Sequence, residues 1–492
     1  LSFLPRLLRY GGLNAVHGVV TALAAAAAAG LLYRRLDLDF GLLALITGGM
    51  VRLNLVDDSL GTYVVTAVAG DKAEAPRRLE VAVQLYLGLA LLFATIFGIA
   101  VALLLRRREE VLVLAGLASA GLFLATLCNL LGKVLEGHED YLALRLAQSG
   151  VAVVRLAAVG ALFLAGVAAL SPYVLLYVLT YVALLVLLVV LVRRRAPGIL
   201  APGWWRRGPD ARERRGVVTF LRPLLVAKGA SVVSYRLDLW VVQVLAGGAA
   251  TAAYALAEAL AGLAAQTLEV LKALLPISVR EWRRDPAWVR RLVLSTSQLS
   301  LLLVGGVCVV AFAAAEPVLI LWFGDAPTLA ITAARLLLIF YALTSFRSVI
   351  QVVLAGQGLF GHLERHFLVA AGLNFLLSLF ATWQLGGWGA ALGTALSGIY
   401  LLLANLSAGQ AALGLDGSPL LRRVVIPGLA CMVLAGLAAA LPTVGPPLAD
   451  LAVRGALAGV VYLVAFWFLV LSPAQRRAGP RAVLRRPPEE VL

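Results

Sequence analysis

The sequence predicts an all-α membrane protein that crosses the bilayer about fourteen times, and three observations predict it. Apolar residues make up 62% of the chain and charged residues 14%, against roughly 45–50% and about 25% in soluble domains. The apolar stretches run for about 20 residues, the length of a helix across a hydrocarbon core, and lack the alternation of the roughly 10-residue strands of a membrane barrel. The basic residues collect in every second connection between those stretches. In lipid only helices and closed barrels satisfy their own backbones, so length and pattern together select helices.

The first span, near 11–33, lies between Arg9 and the pair Arg34–Arg35. Arg6, Arg9 and the alanines 24–29 imitate a cleaved signal, but Asn14 and His17 interrupt the apolar run, so it reads as a span. The second, 40–69, opens at Asp39-Phe40-Gly41 and holds Asp58-Ser59-Leu60-Gly61. The third and fourth, 80–104 and 110–131, flank Arg106–Arg107–Arg108, and Gly132-x4-Gly137-His138 follows the fourth. The fifth and sixth are 147–170 and 173–192, the sixth ending at Arg193–Arg194–Arg195. A polar connection, 193–216, holds Trp204 and Trp205 among arginines, as interfacial anchors are held. Beyond it fall 217–245, 251–279, 292–315 and 328–355, and Gly356-x4-Gly361-His362 follows the tenth span. The last four are 367–385, 388–412, 424–442 and 452–472.

The repeated Gly-x4-Gly-His loops relate two halves in parallel orientation, as do the junctions at Leu43-Ala44-Leu45 and Tyr254-Ala255-Leu256. The expected organisation is an N-terminal six-helix lobe (1–192), a basic linker (193–216), a C-terminal six-helix lobe (217–413), an extra helix pair (414–473) and a tail (474–492). With the N-terminus in the cytoplasm, about 28 basic residues fall inside and 6 outside, a strong positive-inside bias. Both termini are then cytoplasmic. Arg106–Arg107–Arg108 is the exception.

The net charge of +16 would suggest nucleic acid in a soluble protein, but here it lies in short loops that set topology and meet lipid headgroups, so no nucleic-acid partner is expected. Cys128, Cys308 and Cys431 lie in apolar segments without disulfide or metal spacing. The histidines make no metal motif and there is no P-loop, so no cofactor or metal is expected. His138, near Glu136, Glu139 and Asp140, reads as a solvated loop residue.

Ionisable side chains in the hydrocarbon cost about 2.5–3.5 kcal/mol each, so they should face a cavity or a partner. The set is Arg52, Asp57, Asp58, Arg155, Lys228, Arg236, Asp238, Glu258, Glu269, Lys272, Arg335 and Arg347. At about 100° per residue, Tyr10, Asn14, His17 and Thr21 share a face of the first span, and Lys228, Ser231, Tyr235 and Asp238 share one of the seventh. Tyr254, Glu258, Glu269 and Lys272 share a face of the eighth; Tyr341, Thr344, Ser348 and Gln351, with Arg347 at the edge, share one of the tenth. These stripes suggest a polar cavity between the halves. Arginine and lysine in a dry cavity suit phosphate. The candidate substrate contacts are Lys228, Arg236, Lys272, Tyr235, Tyr254, Asn14, His17, Arg52, Arg155 and Arg347. Asp238, Glu258, Glu269, Asp57 and Asp58 are the candidate coupling carboxylates, for protons or sodium. The alternative for each is structural pairing, as for Glu269 with Lys272 at i, i+3.

The chain resembles the polysaccharide-transporter (Wzx-like O-antigen repeat-unit flippase) branch of the multidrug/oligosaccharidyl-lipid/polysaccharide exporter (MOP) superfamily. The residues that carry this are Asp39-Phe40-Gly41, Asp58-Ser59-Leu60-Gly61, Asp238 followed by Tyr254, Glu316-Pro317 before Phe323-Gly324, and Gly386-Gly387-Trp388-Gly389-Ala390-Ala391. The resemblance covers about residues 1–473 and implies a two-lobed transporter of the bacterial inner membrane, not an enzyme. Its implied substrate is an undecaprenyl-diphosphate-linked oligosaccharide of lipopolysaccharide biosynthesis, moved by alternating access through a cationic cavity. Membrane lipid, a polysaccharide polymerase and assembly proteins are the implied partners, and the last two helices imply a groove for the lipid tail. Three alternatives stay open. A lipid II flippase should carry arginine in the first span, and this chain has none past Arg9. The acidic cavity residues keep a multidrug/cation antiporter in view. A membrane glycosyltransferase or ligase needs a large outside loop bearing a base, and none of these is long.

Overall fold

The apolar runs fold as helices, and among the described residues there is no strand. The computed structural model describes residues 3–36, 38–52, 75–106, 108–138, 140–195, 237–268, 286–324, 327–356, 361–414, 420–442 and 445–478, with isolated positions at 61, 63–65, 215, 218–219, 222, 226 and 359. In chain order the helices are α1 (Phe3–Leu36), α2 (Leu38–Arg52), α3 (Ala75–Leu104), α4 (Val111–Gly137), α5 (Tyr141–Leu164), α6 (Leu170–Arg195) and α7 (Asp238–Thr267). Then α8 is built from Pro286–Ser300, a π-helical turn Leu301–Gly305 and Gly306–Ala313, and α9 is the short Ala315–Phe323. α10 (Thr328–Gly356), α11 (Gly361–Leu385) and α12 (Gly389–Leu413) follow. α13 joins a π-helical turn Leu421–Val425 to Ile426–Gly436, and α14 (Pro447–Leu469) and α15 (Pro473–Ala478) end the series.

Eleven helical stretches among the described residues are long and apolar enough to cross a membrane, and Asp39–Met50 is a shorter apolar helix. The polytopic all-α class is borne out. α7 holds the end of the seventh expected span and the start of the eighth. They meet at Gly247, whose φ of 84° and ψ of −178° are open to glycine alone. The basic linker 193–216 past Arg195, and most of 217–236, lie outside the described residues.

The chain divides into two compact units. The N-terminal unit comprises 23–243 and 247–252; the C-terminal unit comprises 1–22, 244–246 and 253–492. In the N-terminal unit α3 packs on α4, α4 on α6, α5 on α6, and α2 on both α4 and α6. Its interior is filled by Met50, Tyr86, Leu114, Leu122 and Tyr173, all sealed from solvent. In the C-terminal unit α8 packs on α10, α10 on α12 and α11 on α12. The same order of neighbours therefore recurs in both units among the described residues. The final pair, α13 and α14, pack on each other, and α14 lies on α8 and α9. On α3 the exposed side chains Leu91, Leu92, Ile96, Ile99 and Leu103 recur every three or four residues, forming an apolar stripe of the kind lipid covers.

Several boundaries depart from the hydropathy reading, those of α5 among them. α5 starts at Tyr141 rather than 147, because Arg145 is accommodated: its guanidinium lies 3.1 Å from Glu136 and donates to Gln148 at 2.7 Å. α5 then ends at Leu164, before the turn at Gly166 (φ 77°). The ninth span is not one regular helix. Its π-helical turn is met by the hydroxyl of Tyr462 on α14, which donates to the Leu301 carbonyl at 2.6 Å. A π turn leaves backbone groups off register, and a side-chain donor from a neighbouring helix satisfies one of them.

Candidate functional site

Of the residues singled out from sequence, Lys228, Tyr235, Arg236, Glu269, Lys272, Asp57 and Asp58 lie outside the described residues. Asn14 is placed on α1 and Arg52 at the end of α2, with only their backbone described. His17, Arg155, Asp238, Tyr254, Glu258 and Arg347 can be followed to their surroundings.

Arg155 sits on α5 in the N-terminal unit. Its Nε–H donates to Thr180 Oγ1 at 2.9 Å. Its guanidinium lies 4.5 Å from the ring centre of Tyr177 and 5.0 Å from that of Tyr181, both on α6. Thr180 is in turn held by the Tyr177 carbonyl at 2.8 Å, and Cys128 of α4 donates to the Tyr181 carbonyl at 3.4 Å. Three helices thus fix one arginine. Stacking on aromatic faces stabilises the cation while leaving its in-plane N–H donors for other acceptors. Among the described residues no carboxylate forms a salt bridge with Arg155.

Asp238 opens α7 in the same unit and is 3% exposed. Trp240, two residues on, meets Phe97 of α3 edge to face, with centroids 6.4 Å apart, which fixes this segment on the N-terminal bundle. Further along α7, Ala252 is approached so closely by Gly41 of α2 that a Cβ on Gly41 would fall 2.8 Å from the Ala252 nitrogen. Any larger residue would force those two helices apart.

In the C-terminal unit Tyr254 is wholly buried and Glu258, one turn later, is half-buried. His17 is half-buried on α1, where Thr21 donates to its carbonyl at 2.8 Å. Arg347 on α10 is 4% exposed. Its Nη2 and Nε donate to Thr344 Oγ1 at 3.1 and 3.3 Å, and its guanidinium lies over Phe340 at 5.3 Å. Arg347 is thus folded back onto Thr344, one turn earlier on the same helix.

Sequence reasoning missed four charge clusters. At one end of the N-terminal unit Arg108 makes a two-pronged pair with Asp39, at 2.5 and 3.0 Å, and that hydrogen bonding raises the Arg108 pKa. Arg35, at that same end, donates to the Val167 carbonyl at 3.1 Å. At the opposite end Glu136 bridges Lys133 (2.8 Å) and Arg145 (3.1 Å), and Arg195 pairs with Asp140 at 3.1 Å. In the C-terminal unit Arg454 pairs with Asp450 at 2.8 Å and reaches Glu316 of α9 at 3.8 Å. Arg335 of α10, which the sequence did single out, donates to the Phe312 carbonyl at 3.4 Å and lies over that ring. Only Asp450 and Arg454, at i, i+4, and Lys133 and Glu136, at i, i+3, had a local spacing that marks a pair.

No protein-family model matches the sequence, and no curated protein matches it. Solved structures do share the fold. The lipid II flippase MurJ, in an inward closed conformation, superposes with a TM-score of 0.61 at 11% identity over 92% of this chain and 97% of its own. A MOP-superfamily transporter from Pyrococcus furiosus, described as having a binding pocket of reversed polarity, gives 0.60 at 15% identity over 84% and 96%. An inward-facing multidrug-resistance MATE transporter gives 0.57 at 17% over 83% and 95%. This chain has the fold of the MOP-superfamily transporters and is a multi-pass membrane protein.

Proposed function

We propose that this protein is a flippase that moves undecaprenyl-diphosphate-linked oligosaccharide repeat units across the bacterial inner membrane by alternating access, coupled to protons or sodium. The observation that carries the reading is how far the fold extends. The likeness to a lipid flippase runs over 92% of the chain, whereas the likeness to a multidrug transporter runs over 83%. Two membrane-crossing helices take about 40 residues. The additional share has the size of the final helix pair, which packs on the C-terminal bundle. A transporter of small cations has no use for such a pair; a carrier of a long polyprenyl tail does.

Charge points the same way. A MOP transporter with a binding pocket of reversed polarity is already known, and in this chain Arg155 and Arg347 place positive charge within the spans. Lys228, Arg236 and Lys272, with Tyr235, Tyr254, Asn14, His17 and Arg52, are the further contacts in this reading. Asp238 and Glu258 carry the coupling proton, with Glu269, Asp57 and Asp58 in support. Two lobes joined by the linker 193–216 do the rocking, and both termini lie in the cytoplasm. A lipid II flippase is the second reading, favoured by the MurJ likeness and opposed by a first span with no arginine between Arg9 and Arg34.

Mass spectrometry of lipid co-purified with the full chain tests the reading. An oligosaccharide on undecaprenyl diphosphate is expected. Lipid II would replace the first reading by the second, and the absence of any polyprenyl diphosphate would contradict both.

A further inference from the structure

Arg155 combines three properties that rarely meet. It lies well inside a 24-residue span, roughly 21 Å of helix from one end and 14 Å from the other. A charge at that depth costs about 2.5–3.5 kcal/mol on insertion scales unless compensated. It falls on the inner face of α5, in line with the buried Leu144 and Val159, while Leu146, Val153 and Val154 form the exposed face opposite. Yet it is half-buried rather than sealed. Its Nε donates to Thr180, and its guanidinium carbon lies 4.5 and 5.0 Å from the ring centres of Tyr177 and Tyr181. The terminal nitrogens at the tip form the two-pronged donor that carboxylates and phosphates accept, and no carboxylate among the described residues fills that place.

We propose that Arg155, clamped by Tyr177, Thr180 and Tyr181, is a preorganised subsite for a phosphoryl anion inside the N-terminal unit. The clamp removes the rotamer freedom of a long side chain before the ligand arrives, which favours binding over a mobile cation. The inference rests on the flippase reading only for the source of the anion. The same chemistry accepts the diphosphate of a lipid or a free phosphate compound.

The test uses the purified full chain in nanodiscs and two probes: inorganic pyrophosphate in solution and undecaprenyl diphosphate in the bilayer. Binding of at least one is expected. Arg155→Gln should weaken it at least tenfold, and so should Arg155→Lys, because an ammonium has no fork to offer. Thr180→Val, which removes the oxygen that orients Nε but keeps the charge, should weaken it severalfold. Tyr177→Phe, which keeps an aromatic face, should stay within about threefold of the wild type. Pyrophosphate binding alone identifies a soluble phosphate compound as the source, and lipid binding alone a headgroup. Binding unchanged in Arg155→Lys and Thr180→Val, or no binding of either probe, overturns the subsite. Intact pyrophosphate binding in a protein that moves no lipid would overturn the flippase reading and leave the subsite standing.

Discussion

Asp450 and Arg454 lie one turn apart on α14, exposed by 3% and 2%, with carboxylate and guanidinium 2.8 Å apart. Each neutralises the other where neither meets bulk water. Breaking a buried ion pair by removing one partner costs about 3–5 kcal/mol. Arg454→Met should therefore lower the thermal midpoint of the detergent-solubilised protein steeply. Asp450→Leu combined with Arg454→Met should recover much of that loss, since an apolar pair of similar volume has no charge to bury. A single variant as stable as the wild type would show that the pair carries no such burden. Arg155 follows a different logic: its cation is stabilised by two aromatic faces and a hydroxyl rather than by a carboxylate. That difference separates a residue that joins helices from one left able to meet an anion.

At the scale of the element, α8 shows how a helix is set by a partner far along the chain. The donor to the Leu301 carbonyl, Tyr462, is 161 residues away and wholly buried. Tyr462→Phe keeps the ring and removes the hydroxyl donor, at a cost of about 0.5–1.5 kcal/mol for one hydrogen bond. The expected result is a lower thermal midpoint, with faster amide exchange confined to residues 301–306. Unchanged exchange there would mean that the π turn stands without α14. This dependence also explains what the sequence could and could not reveal. The spans were legible because a 20-residue apolar run has one stable form in lipid. The π turn in α8 was not, since its cause lies on another helix. Arg106–Arg107–Arg108 stood out as an exception to the charge bias, and Asp39, which holds Arg108, sits 69 residues upstream with no spacing to announce it. Arg155 was legible as a charge inside a span; Tyr177 and Tyr181 lie on the next helix, with no spacing to tie them to it. Arg145 misled the boundary of α5, because hydropathy counts its charge and not its partner Glu136.

At the scale of the whole molecule, two units repeat one order of helix neighbours, and a further pair, α13 and α14, packs on the second. Within that pair Tyr462 and Arg454 fasten α14 to α8 and α9, so the additional helices belong to the C-terminal unit rather than hanging beside it. Positive charge inside the spans and the final helix pair are the two features on which the proposed carriage of an anionic lipid rests. The most direct measurement is translocation in vesicles that contain the purified full chain and undecaprenyl-diphosphate-linked oligosaccharide in one leaflet. Arrival of the sugar in the other leaflet is followed by its accessibility to an impermeant glycosidase. The account predicts transfer that depends on the protein and falls at least tenfold in Arg155→Gln. Transfer no faster than in protein-free vesicles, from a chain that remains folded, would contradict it.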